Sequence, residues 1–217
     1  MRPLLILAAL IAWKWYQEQD GGKFLGSRTV EGIEEFKNRL RKVALDVQRE
    51  TGFSARLGIA QAALESQYGQ SELSRPTAKL TILRKGFEGP VNQGPAHNYF
   101  GFKTGEAWIN AGRPYVLMPT WDYYKKGQKM PNGEIATVDG QKLKWPAPFR
   151  VYASPEESYR DWARLLQIPA YVADGVPVAL KADDLEAFGK ALSIHYAPNQ
   201  DYDKRLIGPA KAIGVIV

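Results

Sequence analysis

The stretch ARLGIAQAALESQYG at 55–69 carries one carboxylate, Glu65. It follows a run in which Leu57, Ile59, Ala60, Ala62, Ala63 and Leu64 leave hardly any polar face. If the run is a helix, Glu65 lies in its last turn. There the negative end of the helix dipole disfavours a carboxylate relative to the protonated acid. Partial burial against Leu64 and Tyr68 acts in the same direction. A carboxyl group that keeps its proton beside a cleft suits general-acid chemistry, such as protonation of the leaving oxygen of a glycosidic bond. Taken alone, the stretch suits better a plainer glutamate that points into solvent or bonds to nearby backbone.

The elements that would position Glu65 are legible from periodicity. Ile33, Phe36, Leu40, Val43 and Val47 recur at spacings of three and four, an amphipathic helix ending near Gly52. Ser54 is placed to cap the apolar helix that ends near Gly69. Residues 75–95 read as one long loop rich in Pro and Gly. Residues 114–144 carry strand signals: Tyr115–Met118 is a short apolar run, and Glu134–Val138 and Gln141–Trp145 flank Asp139-Gly140, a dipeptide suited to a tight hairpin turn. Helices return with the capping box Ser154-Pro155-Glu156-Glu157, whose helix buries Tyr159, Trp162, Leu165 and Leu166. Asp183 is read as the cap of a further helix with Leu185, Phe188 and Leu192 on one side. Helices, a small strand region and helices again make an α+β domain with a mostly helical body.

Four blocks in order change the weight given to Glu65. They are AQAALESQYG at 60–69, NYFGFK at 98–103, FRVYASPEESYRDWARLL at 149–166 and HYAPNQDYDKRL at 195–206. Together they resemble the peptidoglycan N-acetylglucosaminidases of glycoside hydrolase family 73, the flagellar-muramidase and autolysin type. The resemblance covers about residues 54–210 and implies a lysozyme-like fold, with a cleft between a helical body and a small β-lobe. It implies Glu65 as general acid, with Asn98, Phe100 and Gly101 in the block that lines the cleft. Tyr196 matches the tyrosine beside the catalytic centre, and Tyr202 matches the second tyrosine of that block. Tyr68 stands where the family usually has tryptophan. Phe149, Arg150, Tyr152 and Trp162 read as mainly structural. For a second catalytic carboxylate, the family's Thr-x-Glu-Tyr corresponds to Thr120-Trp121-Asp122-Tyr123. Asp122 is therefore expected to act on water or to steady positive charge on the sugar ring, ahead of Glu106 and Glu134. The substrate's own N-acetyl group is the alternative to such a carboxylate. The missing Asp-Pro pair after Tyr196, and the stretch 74–95, which looks longer than usual, depart from the family pattern.

Composition agrees with this and excludes other chemistries. The chain of 217 residues is 45% hydrophobic and 12% aromatic, with 6 Trp and 11 Tyr, enough for a packed core and for aromatic sugar platforms. The absence of cysteine removes disulfides, thiolate catalysis and Cys-based zinc sites. With two histidines and no HExxH, no metal or cofactor is expected. The net charge of +6 is scattered, which favours an anionic wall over nucleic acid as partner. Pro3–Trp13 is an apolar run too short to span a bilayer, which needs roughly 20 helical residues. It is followed by Trp15 and Tyr16, suited to a membrane interface. No small-x-small cleavage pair follows, so residues 3–16 read as an anchor rather than a cleaved signal. The division expected is an anchor and linker at 1–24 and a catalytic domain at 25–217. That places the domain facing the cell wall in a bacterial envelope or a phage particle, with secretion as the alternative. A transglycosylase or muramidase of the same fold, a non-catalytic wall-binding or virion protein, and a charge-driven membrane or nucleic-acid binder are the rival readings. Oligomeric state is not legible.

Overall fold

The computed structural model describes residues 30–196 and 201–214; the anchor reading for residues 3–16, like the linker before the domain, lies outside them. Helix α1 (Val30–Thr51) turns Phe36, Leu40, Val43 and Val47 into the core and keeps its charges outside. It stops at Gly52, which takes the left-handed conformation (φ 75°) that ends helices cheaply. Helix α2 (Ala55–Ser66) starts where expected: the Ser54 hydroxyl accepts the Leu57 N–H at 3.1 Å. Its residues are buried on almost every side, so it is the central helix of the body, which explains a sequence with hardly any polar face.

The chain from 75 to 95 departs from the single loop expected. Strands β1 (Leu80–Ile82) and β2 (Asn92–Gly94) pair antiparallel there, with Leu80 opposite Gly94. Neither three-residue segment has room for an alternating pattern, and Asn-Gln-Gly has no strand preference, so the pairing left little trace in the sequence. A short helix α3 (Glu106–Asn110) precedes the main ribbon. Strands β3 (Tyr115–Tyr124) and β4 (Gln141–Arg150) pair antiparallel along their whole length, from Tyr115 opposite Arg150 to Tyr124 opposite Gln141.

This corrects the hairpin expected around Asp139-Gly140. The partner of 141–145 is 120–124, and Glu134–Val138 belongs to the excursion joining the strands. There its ladder is a single bridge, Lys129 to Ile135. Asp139 and Gly140 close the mouth of that excursion instead. Asp139 Oδ1 accepts the Lys126 N–H at 2.9 Å, and the Gly140 N–H reaches the Tyr124 carbonyl at 3.0 Å.

Helix α4 (Pro155–Leu165) is capped by Ser154, whose hydroxyl accepts the Glu157 N–H at 3.3 Å. The Glu157 carboxylate returns to the Ala153 N–H at 2.8 Å, one residue before the cap. Tyr159 and Trp162 on α4 lie directly over α2, which Gly58 permits. A Cβ at position 58 would overlap the Tyr159 hydroxyl and stand 2.8 Å from the Trp162 ring. Helices α5 (Pro169–Ala173) and α6 (Val176–Lys181) follow.

Helix α7 (Leu185–His195) is capped by Asp184, not by Asp183 as expected. Asp184 Oδ1 accepts the Ala187 N–H at 3.0 Å, whereas Asp183 turns away with φ 54° to accept from Ser54 and Arg56. Helix α8 (Tyr202–Ile213) packs on α2 and α7. Gly189 admits its first turn: a Cβ there would stand 2.5 Å from the Asp203 Cα. The result is a helical body around α2 and a small β-lobe, as the sequence led one to expect. Among the described residues no helix is long and apolar enough to cross a membrane.

Candidate active site

Glu65 sits in the last turn of α2, half-buried, with Oε1 accepting the Tyr202 hydroxyl at 2.7 Å. Burial raises its pKa to about 7, against the opposing pull of the Tyr202 hydrogen bond and of the Arg205 charge. A carboxyl group in this state keeps its proton in a large share of molecules near neutral pH and can give it up, which is the property a general acid needs.

The backbone after Glu65 is unusual. Gln67 and Tyr68 both have positive φ (54° and 58°), followed by Gly69 (76°). Ser66 holds this turn: its hydroxyl donates to the Ala62 carbonyl at 2.6 Å and accepts the Gly69 N–H at 2.8 Å. The turn folds the buried Tyr68 ring back onto Phe36, with centroids 5.7 Å apart, and stops the helix one residue past Glu65. Non-glycine residues in this conformation are uncommon and cluster at functional sites.

Tyr202 and Tyr196 come from either side of the segment 197–200. Their rings stand 6.0 Å apart. The Tyr196 hydroxyl donates to the Phe100 carbonyl at 2.7 Å, and its ring lines a cavity of about 650 Å³ between body and β-lobe. Tyr196 thus links Glu65's surroundings to the cavity, although Glu65 itself is not part of its lining. Burial and the Glu65 charge push the Tyr196 phenol well above its ordinary pKa, and burial and Glu65 do the same to Tyr202.

The block 98–103 is split by function. Asn98, fully buried, receives the Phe102 N–H at 2.9 Å and donates to the carbonyls of Phe102 and Arg150 at 2.8 and 3.0 Å. Phe100 stacks on Trp162 at 5.3 Å inside the body. Gly101 takes φ 64° between them. These three shape the loop from behind and do not line the cavity. Phe102 and Lys103, next in the chain, do line it.

Asp122, also in the lining, is 2% exposed and both its oxygens are taken. Oδ1 pairs with the Lys103 ammonium, and Oδ2 accepts the Trp145 indole N–H at 2.7 Å. Burial lowers the Lys103 pKa to about 8 despite this partner. Burial, then the Asp122 charge, raises Tyr124 to about 12. The neighbouring Arg150 also lines the cavity and pairs with the buried Asp161, which accepts Tyr152 at 2.8 Å. Glu106 reaches the cavity rim, while Glu134 is exposed and accepts from Asn132 at 2.8 Å. Lys103 and Trp145 were not singled out from sequence. The signal for Lys103 was its place in the block NYFGFK; Trp145 had none beyond its strand. Among the described residues, no group of three or more His, Asp or Glu side chains is arranged to hold a metal ion.

Comparison with known proteins decides the family. The glucosaminidase family, described as mannosyl-glycoprotein endo-beta-N-acetylglucosaminidase, matches residues 41–214. The chain belongs to this family. The peptidoglycan hydrolase FlgJ of Salmonella typhimurium is 32% identical over 168 residues, 75% of this chain and 42% of FlgJ. The chain spans less than half the length of the curated relatives it matches. A C-terminally truncated glycoside hydrolase domain of Salmonella typhimurium FlgJ superposes with a TM-score of 0.52 at 30% identity, over 82% of this chain and 95% of that one. The catalytic domain of the autolysin Auto from Listeria monocytogenes shares the fold, with a TM-score of 0.57 at 22% identity over 91% and 93% of the two chains. The chain is thus a domain of the glucosaminidase family with the fold of the FlgJ glycoside hydrolase domain, the family its four sequence blocks implied.

Proposed function

We propose that this domain hydrolyses bacterial peptidoglycan at the β-1,4 bond between N-acetylglucosamine and N-acetylmuramic acid, with Glu65 as general acid. The observation that carries the reading is the state of Glu65: buried enough to hold a proton near pH 7, and oriented by Tyr202. Glu65 protonates the bridging oxygen as the glycosidic bond breaks; water finally adds to the anomeric carbon and passes a proton back to the Glu65 carboxylate, which restores the acid. Tyr196 borders the reacting sugar, with its hydroxyl held by Phe100. Tyr202 holds the acid through its hydroxyl, Tyr68 anchors the turn after it on Phe36, and Asn98, Phe100 and Gly101 set the loop that presents Lys103 to the cavity.

Asp122 is engaged through both oxygens, which favours an electrostatic role beside the sugar ring over removal of a proton from water. That leaves the substrate's N-acetyl group as the internal nucleophile, a known route in glycosidases. The proposed site of action is the cell wall of a bacterial envelope or the wall met by a phage particle, with residues 3–16 as anchor. The test is turnover of purified peptidoglycan by the parent and by Glu65→Gln. The reading expects a loss of at least about a thousandfold, as for removal of a general acid with its positioned proton. Undiminished turnover would remove Glu65 from the chemistry.

A further inference from the structure

The β3–β4 ribbon has two faces, and the site uses one. Asp122, Tyr124 and Trp145 face the cavity. Their neighbours along each strand point the other way, because side chains alternate. On that outer face Trp121 stands opposite Lys144, and Tyr123 opposite Lys142. Directly paired residues share a face, so these four form one patch. The Lys142 and Lys144 ammoniums flank the Trp121 indole, at 5.2 and 6.0 Å from its centroid. Both lysines are exposed, and both aromatic rings are half-exposed.

Charge collects on the same arm. Residues 123–144 hold five lysines against two carboxylates, half of the chain's net +6. The carboxylates are turned to local work. Glu134 accepts from Asn132, and Asp139 accepts the Lys126 backbone N–H.

We propose that this outer face is a second glycan-binding surface, separate from the cleft, which docks a neighbouring uncut strand of peptidoglycan. An indole and a phenol ring offer flat apolar surfaces to the C–H faces of sugars. The flanking ammoniums meet the carboxylates that muramic acid and its peptides carry at regular intervals. A ligand with sugar rings and carboxylates in one repeat fits both halves of the patch. The cleft on the inner face then works on one strand while the outer face holds the domain to the next. The inference rests on peptidoglycan being the substrate.

The test uses the full chain, its Trp121→Ala variant and the Lys142→Gln/Lys144→Gln double variant. Melting temperatures check folding, and the double variant changes only exposed side chains. Co-sedimentation with insoluble peptidoglycan freed of phosphate polymers reads binding. Product release from that material and from a short soluble muropeptide reads turnover. Binding and release from the insoluble wall are expected to fall on the order of tenfold in both variants. The loss in the double variant should vanish in high salt, and soluble turnover should stay within about twofold. Unchanged binding and release would overturn the proposal. Equal losses on both substrates would assign the face to the cleft and overturn it too. An effect confined to walls that keep their phosphate polymers would transfer the surface to those polymers. Should the parent cut neither substrate, the activity reading fails, and the binding comparison still decides this one.

Discussion

Glu65 holds its proton because burial outweighs two opposing influences, the Tyr202 hydroxyl and the Arg205 charge. Two predictions follow from that balance. In Tyr202→Phe the hydrogen bond that favours the charged form is gone, so the Glu65 pKa rises further. The alkaline limb of the pH–rate profile, near pH 7 in the parent, should move upward; a downward shift would contradict the assignment. The second concerns stability. A glutamate ordinarily at 4.5 but near 7 in the fold binds its proton more tightly when folded. Stability therefore falls as pH rises from about 4.5 to 7 and stays low above it. Glu65→Gln removes that penalty. Denaturant unfolding should find the variant more stable than the parent at pH 8, by about 1–3 kcal/mol, with the gain lost at pH 4. The sequence told of this residue in part. The apolar helix and the position in its last turn were legible, but the Tyr202 bond, 137 positions away, was not.

At the scale of elements, close approach positions the acid. Helix α4 lies against α2 because residue 58 has no side chain. Gly58→Ala forces the Tyr159 hydroxyl or the helices apart. A cost of about 1–3 kcal/mol in unfolding free energy is expected, as for overpacking a tight core, together with a loss of activity as Glu65 shifts. Full stability in that variant would contradict the packing described. Helix α1 was readable from its period, α2 from its cap and its apolar run, and α4 because period and cap coincide. Elements of five or six residues, α3, α5 and α6, are too short to show a period. The capping aspartate was misread by one residue because Asp183 and Asp184 are adjacent and equally suited. Only the tertiary bonds of Asp183 to Ser54 and Arg56 separate them. The ribbon's true register was hidden by the excursion from 125 to 140, whose own strand-like text at 134–138 competed for 141–145.

Over the whole molecule, the cavity wall formed by the ribbon and the Lys103 segment bridged to it is held by the Lys103–Asp122 pair, with Trp145 on the second Asp122 oxygen. The pair is buried, with side-chain exposures of 12% and 2%, so removing one partner strands the other charge. Asp122→Asn should cost about 3–5 kcal/mol and Lys103→Met/Asp122→Leu much less, measured by chemical denaturation. Equal costs would show that the ion pair does not matter as a pair. The two-lobed outline was legible from order alone, helices, strands, helices. That a buried ion pair would line the cavity was not, because its partners lie 19 positions apart.

The bond that is cut and the group that cuts it define the chemistry of this domain. Peptidoglycan digested by the parent and by Glu65→Gln, reduced with borohydride and weighed by mass spectrometry, reads both at once. Glucosaminitol ends from the parent and none from the variant are predicted. Muramitol or anhydromuramic ends from the parent, or glucosaminitol ends from the variant, would contradict this chemistry.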